Sequence, residues 1–242
     1  MPVPPLRYPE SGVRLDRFLS NLPTLNRQQA RLCLSQGQVR VNDEVVREPL
    51  TEVRAFDRIE LGEQLLQAGR AARYYMLNKP QGCVSATRDP RHRTVLDLLD
   101  EADREELHIA GRLDFNSTGL ILLSNDGLWS RRLTQPASEI SKTYLVQTEQ
   151  PITEQMRLRF AQGLYFRFED LVTRPAQLEI LTSHSARLSI HEGRYHQIKR
   201  MFGQFGNKVL ALHRESMGPY RLDPQLAPGA YRALSATEIG LI

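Results

Sequence analysis

The spacing of apolar positions changes along the chain, and the changes divide it into segments. Over residues 14–19 (RLDRFL) apolar side chains recur at helical spacing. Residues 26–35 continue with Ala30, Leu32 and Leu34; Asn26 is placed to cap a helix and Gly37 to end it. The period then falls to two. Residues 38–46 alternate around an Asn42-Asp43 turn, and residues 57–61 alternate again. Two short helices and a small sheet predict a unit of about 50 residues, spanning 12–64. Residues 65–72 are poor in β-branched side chains and read as an interdomain linker. The remainder, 73–242, is rich in strand patterns, expected at 74–78, 107–110, 120–124, 144–148, 177–180, 186–190 and 208–214. Helical patterns at 94–99, 153–162 and 196–205 lie among them, so an α+β domain on a mixed, mainly antiparallel sheet is expected.

Composition narrows the class without naming a function. No apolar run approaches the ~20 residues of a membrane span, and no membrane partner is expected. Residues 1–11 lack the apolar stretch of a signal peptide and read as a short disordered tail. Two cysteines, Cys33 and Cys83, make a disulfide framework a poor reading, and a reducing cytoplasm is the expected home. The net charge of +4 is modest, but the bases gather. Arg14, Arg17, Arg27, Arg31 and Arg40 face one acid, Asp16, over residues 14–40. Arg187, Arg194, Lys199, Arg200, Lys208 and Arg214 face Glu192 over residues 187–214. Charge alone fits two solvated faces as well as two tracks for a polyphosphate backbone.

The segment with most chemistry is AGRLDFNSTGLILLSNDG, residues 110–127. It is a polar loop between two apolar strands, and it carries Asp114, the nearby Arg112, and the small polar side chains Asn116, Ser117 and Thr118. An arbitrary aspartate in such a loop caps backbone amides more often than it reacts. Metal-dependent and nucleotide-dependent chemistry find no motif. His191 and His196 are not spaced as a helical zinc pair, the cysteines form no CxxC, and no phosphate-binding glycine loop occurs, so neither metal nor cofactor is expected.

Four separated words change the weight on Asp114. GRLD with its flanks resembles the catalytic-loop motif of the RsuA/RluA-type pseudouridine synthases. YYMLNKPQG (74–82) resembles that family's first motif, KTYLV (142–146) matches the position of its active-site tyrosine, and EGRYHQIKRMF (192–202) resembles its third motif. VRLDRFL, SQGQVRVND and DRIEL resemble the S4-like αL RNA-binding motif over residues 12–64. MLNKPQG (76–82) and EGRYHQIKRMF (192–202) favour the members that act on small-subunit ribosomal RNA over those acting on the large subunit.

The resemblance implies isomerisation of a uridine to pseudouridine: the bond from ribose C1′ to N1 breaks, the uracil turns in place, and C1′ bonds to C5. An ionised carboxylate suffices as nucleophile or base, and the resemblance gives that part to Asp114. It gives Lys199 the part of the neighbouring cation and Tyr144 that of the ring stacked on the target base. The uridine must be flipped out of the RNA to react. Arg112, expected on the side of its segment away from Asp114, is assigned with Asn116, Ser117 and Thr118 to holding the opened nucleotide. Lys79, Arg88, Arg91, Arg93 and Arg194 are candidates for RNA contact, and Arg14, Arg17, Arg27 and Arg31 are the matching bases of the N-terminal motif. The expected partner is small-subunit ribosomal RNA, as part of an assembling ribonucleoprotein, bound by a monomer. The alternatives are a synthase acting on large-subunit RNA, a non-catalytic ribosome-assembly factor, and an unrelated aspartate-dependent hydrolase; the last lacks a second catalytic motif.

Overall fold

The computed structural model describes residues 12–242; the tail expected over residues 1–11 lies outside them. The chain gathers into two compact units, one ending at Ala72 and the other Arg73–Ile242. Among the described residues no helix is long and apolar enough to cross a membrane.

The first unit holds strand β1 (Val13–Arg14), helices α1 (Leu15–Ser20) and α2 (Arg27–Ser35), and strands β2 (Val39–Val41), β3 (Glu44–Val45), β4 (Glu52–Val53), β5 (Ile59–Leu61) and β6 (Gln64–Gln67). Asn26 caps α2 by accepting from the Gln29 amide, and the Gln29 side chain accepts from the Asn26 amide in return. The helical period sends Ala30 and Leu34 inward and leaves Leu32 exposed. With Leu15, Phe18, Leu19, Val39, Val53 and Ile59 they form one buried cluster. Asn42 and Asp43 both take positive φ, 51° and 68°, as the tight turn between β2 and β3 requires. The expected linker is corrected here. Its first residues are strand β6, paired antiparallel with β5, and the Gln67 side-chain amide donates to the Arg54 and Asp57 carbonyls. Backbone pairing needs no β-branched side chain, so the composition signal missed it.

The second unit is organised by one sheet. Its strands are β7 (Tyr74–Lys79), β8 (His108–Ala110), β9 (Thr118–Ser124), β10 (Lys142–Thr148), β13 (Gln177–Thr182), β14 (Ser185–Ile190), β15 (Val209–Met217), β16 (Tyr220–Arg221) and β17 (Tyr231–Ala233). A separate hairpin is made by β11 (Tyr165–Phe166) and β12 (Leu171–Val172). Helices α3 (Gly127–Thr134), α4 (Glu154–Gln162), α5 (Gln197–Gly203) and α6 (Ala236–Ile239) complete it. The sheet order is β13-β14-β10-β15-β9-β7-β17, with β16 on β15 and β8 on β9. Pairing is antiparallel except between β9 and β15.

The unbroken apolar run in β9 is explained by two cores, one on each face of the sheet. Period two sends Ile121 and Leu123 to one face with Leu77, Phe160 and Phe202, and Leu120 and Leu122 to the other with Met76, Trp129 and Tyr220. Each such leucine or isoleucine contributes roughly 1.5–3 kcal/mol of burial. The helix expected at 94–99 is instead a single 3-10 turn, Leu96–Leu98. The Asp97 carboxylate accepts from both the amide and the hydroxyl of Thr94, which favours a turn over helix propagation.

A charged lock closes the C-terminal end. The Arg232 guanidinium donates to Asp223 at 2.8 Å and to Glu238 at 2.9 and 3.0 Å, while Glu238 also closes a capping box with Ser235 on α6. The Arg232 hydrogen bond holds the Glu238 carboxyl at about 2, against an ordinary 4.5. A depressed carboxyl stabilises the fold above about pH 4.5 and loses that contribution as pH falls towards 2. Glu238→Gln is therefore expected to flatten the acid limb of a melting temperature–pH curve over that window, and an unchanged limb would contradict the lock.

Candidate active site

The loop between β8 and β9 is fixed by buried groups on both sides of it. At its far end β9 runs parallel to β15, with Gly119 opposite Arg214. A Cβ at Gly119 would lie 2.3 Å from the Arg214 carbonyl oxygen, and φ there is +105°, so glycine is required. The Arg214 side chain, 1% exposed, donates to the carbonyls of Leu120 (2.8 Å), Arg112 (3.3 Å) and Gly111 (2.6 Å). Ser85 holds the near side: its hydroxyl donates to the Leu113 carbonyl at 2.8 Å and accepts from the Leu113 amide at 3.0 Å. A turn follows, closed by the Ser117 amide donating to the Asp114 carbonyl at 3.0 Å. Asp114 thus stands on a backbone pinned at Gly111, Arg112, Leu113 and Leu120.

The carboxylate faces a cavity of about 480 Å³, ample for a nucleoside. Arg112, Asp114, Ser117, Tyr144, Arg194, Tyr195, His196 and Lys199 line it. Helix α5 buries Gln197, Ile198, Met201 and Phe202, a single face, and this leaves Lys199 turned outward. Its ammonium donates to Asp114 Oδ2 at 3.1 Å. His196 precedes the helix in the left-handed conformation, φ 49°, and its Nε2 lies 3.4 Å from the same oxygen. Both side chains and the carboxylate are about one-third exposed, so the cluster adds on the order of 1 kcal/mol or less to stability. Its effect is on the orientation of the carboxylate and on the local field around it. Tyr144 is buried on β10, opposite Leu188 and Arg214, and reaches the cavity wall from the core.

Several expected sites move. Lys79 is fully buried and cannot meet RNA: its ammonium donates to the carbonyls of Pro80 (3.0 Å), Phe115 (3.3 Å) and Ser117 (2.8 Å). Burial lowers its pKa, opposed by the charges of Cys83 and Asp114, and its place is structural, under the loop. Thr118 lies outside the cavity wall and shares a 2.9 Å hydrogen bond with His213. Asn116 is exposed but also off that wall. Arg112 lines the same cavity as Asp114, since side chains two apart on an extended segment share a face. Arg194 is exposed at the rim, with its Nε donating to Glu192 at 3.0 Å. Of the second basic run, Arg214 is internal, while Arg187 pairs with Glu215 and Glu179, and Arg200 with Glu169. Arg88 is engaged by Glu105, Arg93 Nη2 donates to the Asp97 carbonyl at 3.3 Å, and Arg91 is exposed.

In the first unit, Arg14 donates two hydrogen bonds to the fully buried Asp16, at 3.1 and 2.6 Å. Burial alone would raise the Asp16 carboxyl; the Arg14 hydrogen bond and charge hold it below the ordinary value. Arg14 is therefore a structural partner, with Arg31 a looser one at 3.7 Å. Arg17 and Arg27 are exposed, with no ion pair among the described residues. Sequence reading missed the parts of Ser85, Arg214 and His196. A Ser and an Arg carry no local mark of what they will anchor, whereas the His lay within a matched word.

Comparison with known proteins places the chain in a family. The RNA pseudouridylate synthase family matches residues 73–204, over half the chain, and the S4 domain matches residues 13–59. This chain belongs to the RNA pseudouridylate synthase family. A curated relative from Pseudomonas aeruginosa, named ribosomal small subunit pseudouridine synthase A, is 63% identical over 94% of this chain and 99% of its own length. One of the same name from Escherichia coli K12 is 43% identical over 95% of this chain and all of its own. A crystal structure described as a pseudouridylate synthase is 42% identical, covering 94% of this chain and 98% of that one, with a TM-score of 0.68. In this synthase the family's match spans the Asp114 loop, Tyr144 and the α5 helix that carries Lys199.

Proposed function

We propose that this chain converts a uridine of small-subunit ribosomal RNA to pseudouridine in the cytoplasm, with Asp114 as the reacting carboxylate. The observation that carries the reading is one carboxylate held by Lys199 and His196 in a nucleoside-sized cavity walled by Tyr144. Family membership supplies the reaction, and the names of the curated relatives supply the class of RNA.

In this reading the target uridine leaves the RNA stack and its uracil lies on Tyr144. Asp114 acts at the junction of ribose and base, aimed by Lys199. C1′–N1 breaks, C1′–C5 forms, the hydrogen on C5 leaves to solvent and N1 takes up a proton, so atoms balance with no oxidant or energy donor. Arg112 and Arg194, at the cavity, meet backbone phosphates as the nucleotide opens. Pseudouridine mapping of small-subunit RNA from cells lacking this protein tests the reading. Loss of modification at one position, restored by the gene, is expected; an unchanged map would refute it.

The first unit supplies affinity. Arg17 and Arg27 are exposed and have no ion pair among the described residues, and Arg17→Glu or Arg27→Glu is expected to weaken RNA binding across sequences. The slope of log K against log salt should fall by roughly 0.7–1 per lost phosphate contact, read by fluorescence anisotropy. Arg14→Ala should instead lower the melting temperature, since it leaves Asp16 buried without its partner.

A further inference from the structure

Outside the Asp114–Lys199 pair, the most unusual feature of the cavity is an exposed ring. Tyr195 is 76% exposed although it lies on the wall of the active-site cavity. One ring face is occupied: it stacks on His196 with centroids 3.9 Å apart and planes 20° from parallel. Consecutive side chains rarely lie face to face. Here the left-handed backbone at His196, φ 49° and ψ 30°, is the local departure from regular geometry that accompanies the arrangement. His196 in turn touches Asp114, so carboxylate, imidazole and phenol form a stair from the cavity floor to its mouth.

We propose that Tyr195, backed by His196, is a stacking platform for the nucleotide next to the target uridine. The inference rests on the activity proposed above and goes beyond it. Tyr144 is buried and serves the base inside the cavity; Tyr195 is too exposed to be that ring. A flipped uridine leaves each neighbouring base with one face unstacked. A flat, solvent-facing aromatic ring at the mouth restores a partner to one of those faces, and it does so for any base. Arg112 lines the same cavity and has no ion pair among the described residues, so a cation for the adjoining phosphate stands on the same cavity wall. The platform therefore favours the opened RNA over the stacked one, and by stacking on His196 it holds that imidazole against Asp114.

The test is a cycle between protein and RNA. Wild type and Tyr195→Ala are compared on a small-subunit RNA oligonucleotide that is intact, or abasic 5′ or 3′ of the target uridine. Tritium release gives kcat/KM. Tyr195→Ala is expected to lower kcat/KM on intact RNA by about 5- to 150-fold, the base-on-ring stacking range. Tyr195→Phe, which keeps the ring, should recover most of that loss. One abasic substitution should reproduce the loss in wild type and add little to Tyr195→Ala. A Tyr195→Ala effect below about twofold, or losses that simply multiply at both neighbours, would overturn the platform. Binding of the same RNA with 2-aminopurine at each neighbouring position is followed by fluorescence as an arm independent of turnover. Quenching by wild type that Tyr195→Ala abolishes supports the platform, and its absence at both positions counts against it. If wild type binds with quenching but releases no tritium, the proposed activity fails and the platform stands.

Discussion

Asp114→Asn is expected to reduce isomerisation by about four orders of magnitude or more while RNA affinity and melting temperature stay near wild type. The amide is isosteric, so no cavity opens. Lys199 and His196 are each partly exposed and lose a partner without becoming buried unpaired charges, so the stability change should stay within about 1 kcal/mol. What disappears is the anion, which an amide cannot supply as nucleophile or base. Single-turnover tritium release gives the rate, anisotropy the affinity and calorimetry the stability. A variant that turns over at a tenth of the wild-type rate would remove Asp114 from the chemistry. One that melts early would make Asp114 a structural cap, the commoner use of a loop aspartate.

Arg214→Ala carries the largest expected effect on stability. It strips three carbonyls, at Gly111, Arg112 and Leu120, of the donor supplied by a side chain that is itself 1% exposed. A buried acceptor left without its donor costs about 1–3 kcal/mol and a partly buried one less, so the total should be roughly 3–5 kcal/mol. For a unit of this size that corresponds to a fall in melting temperature of about 6–20 °C. Arg214→Lys should recover little, since one ammonium cannot reproduce the fork that reaches three carbonyls. The residual folded protein should also turn over slowly, because the same bonds pin the Asp114 loop. Circular-dichroism melts decide it; a shift below 2 °C would show that the loop is held by something else.

Arg214 also shows where sequence reading runs out. It was one base in a run that fits RNA contact, since arginine is mostly exposed. Only the parallel pairing of β15 with β9 turns it inward. Lys79 misled in the same way: the three carbonyls that hold it belong to Pro80, Phe115 and Ser117, two of which are distant in sequence. Features written in neighbouring residues were legible. The Asn26 cap, the Asn42-Asp43 turn and the alternation in β10 and β14 each follow from local chemistry. The meeting of Asp114 with Lys199, 85 positions apart, came from the matched motifs, because no periodicity encodes a contact between a loop and a distant helix. His196 lies within a matched word, but its 3.4 Å approach to Asp114 depends on a left-handed residue that composition does not announce.

Release of tritium from [5-³H]uridine-labelled small-subunit ribosomal RNA by the purified full-length chain tests the central claim most directly. Forming the C1′–C5 bond expels the C5 hydrogen, whereas binding or hydrolysis of the RNA leaves it in place. The account predicts release that plateaus in stoichiometric ratio to RNA, absent with Asp114→Asn and absent with large-subunit RNA. No release from small-subunit RNA, offered free or within assembling particles, or equal release by Asp114→Asn, would contradict it.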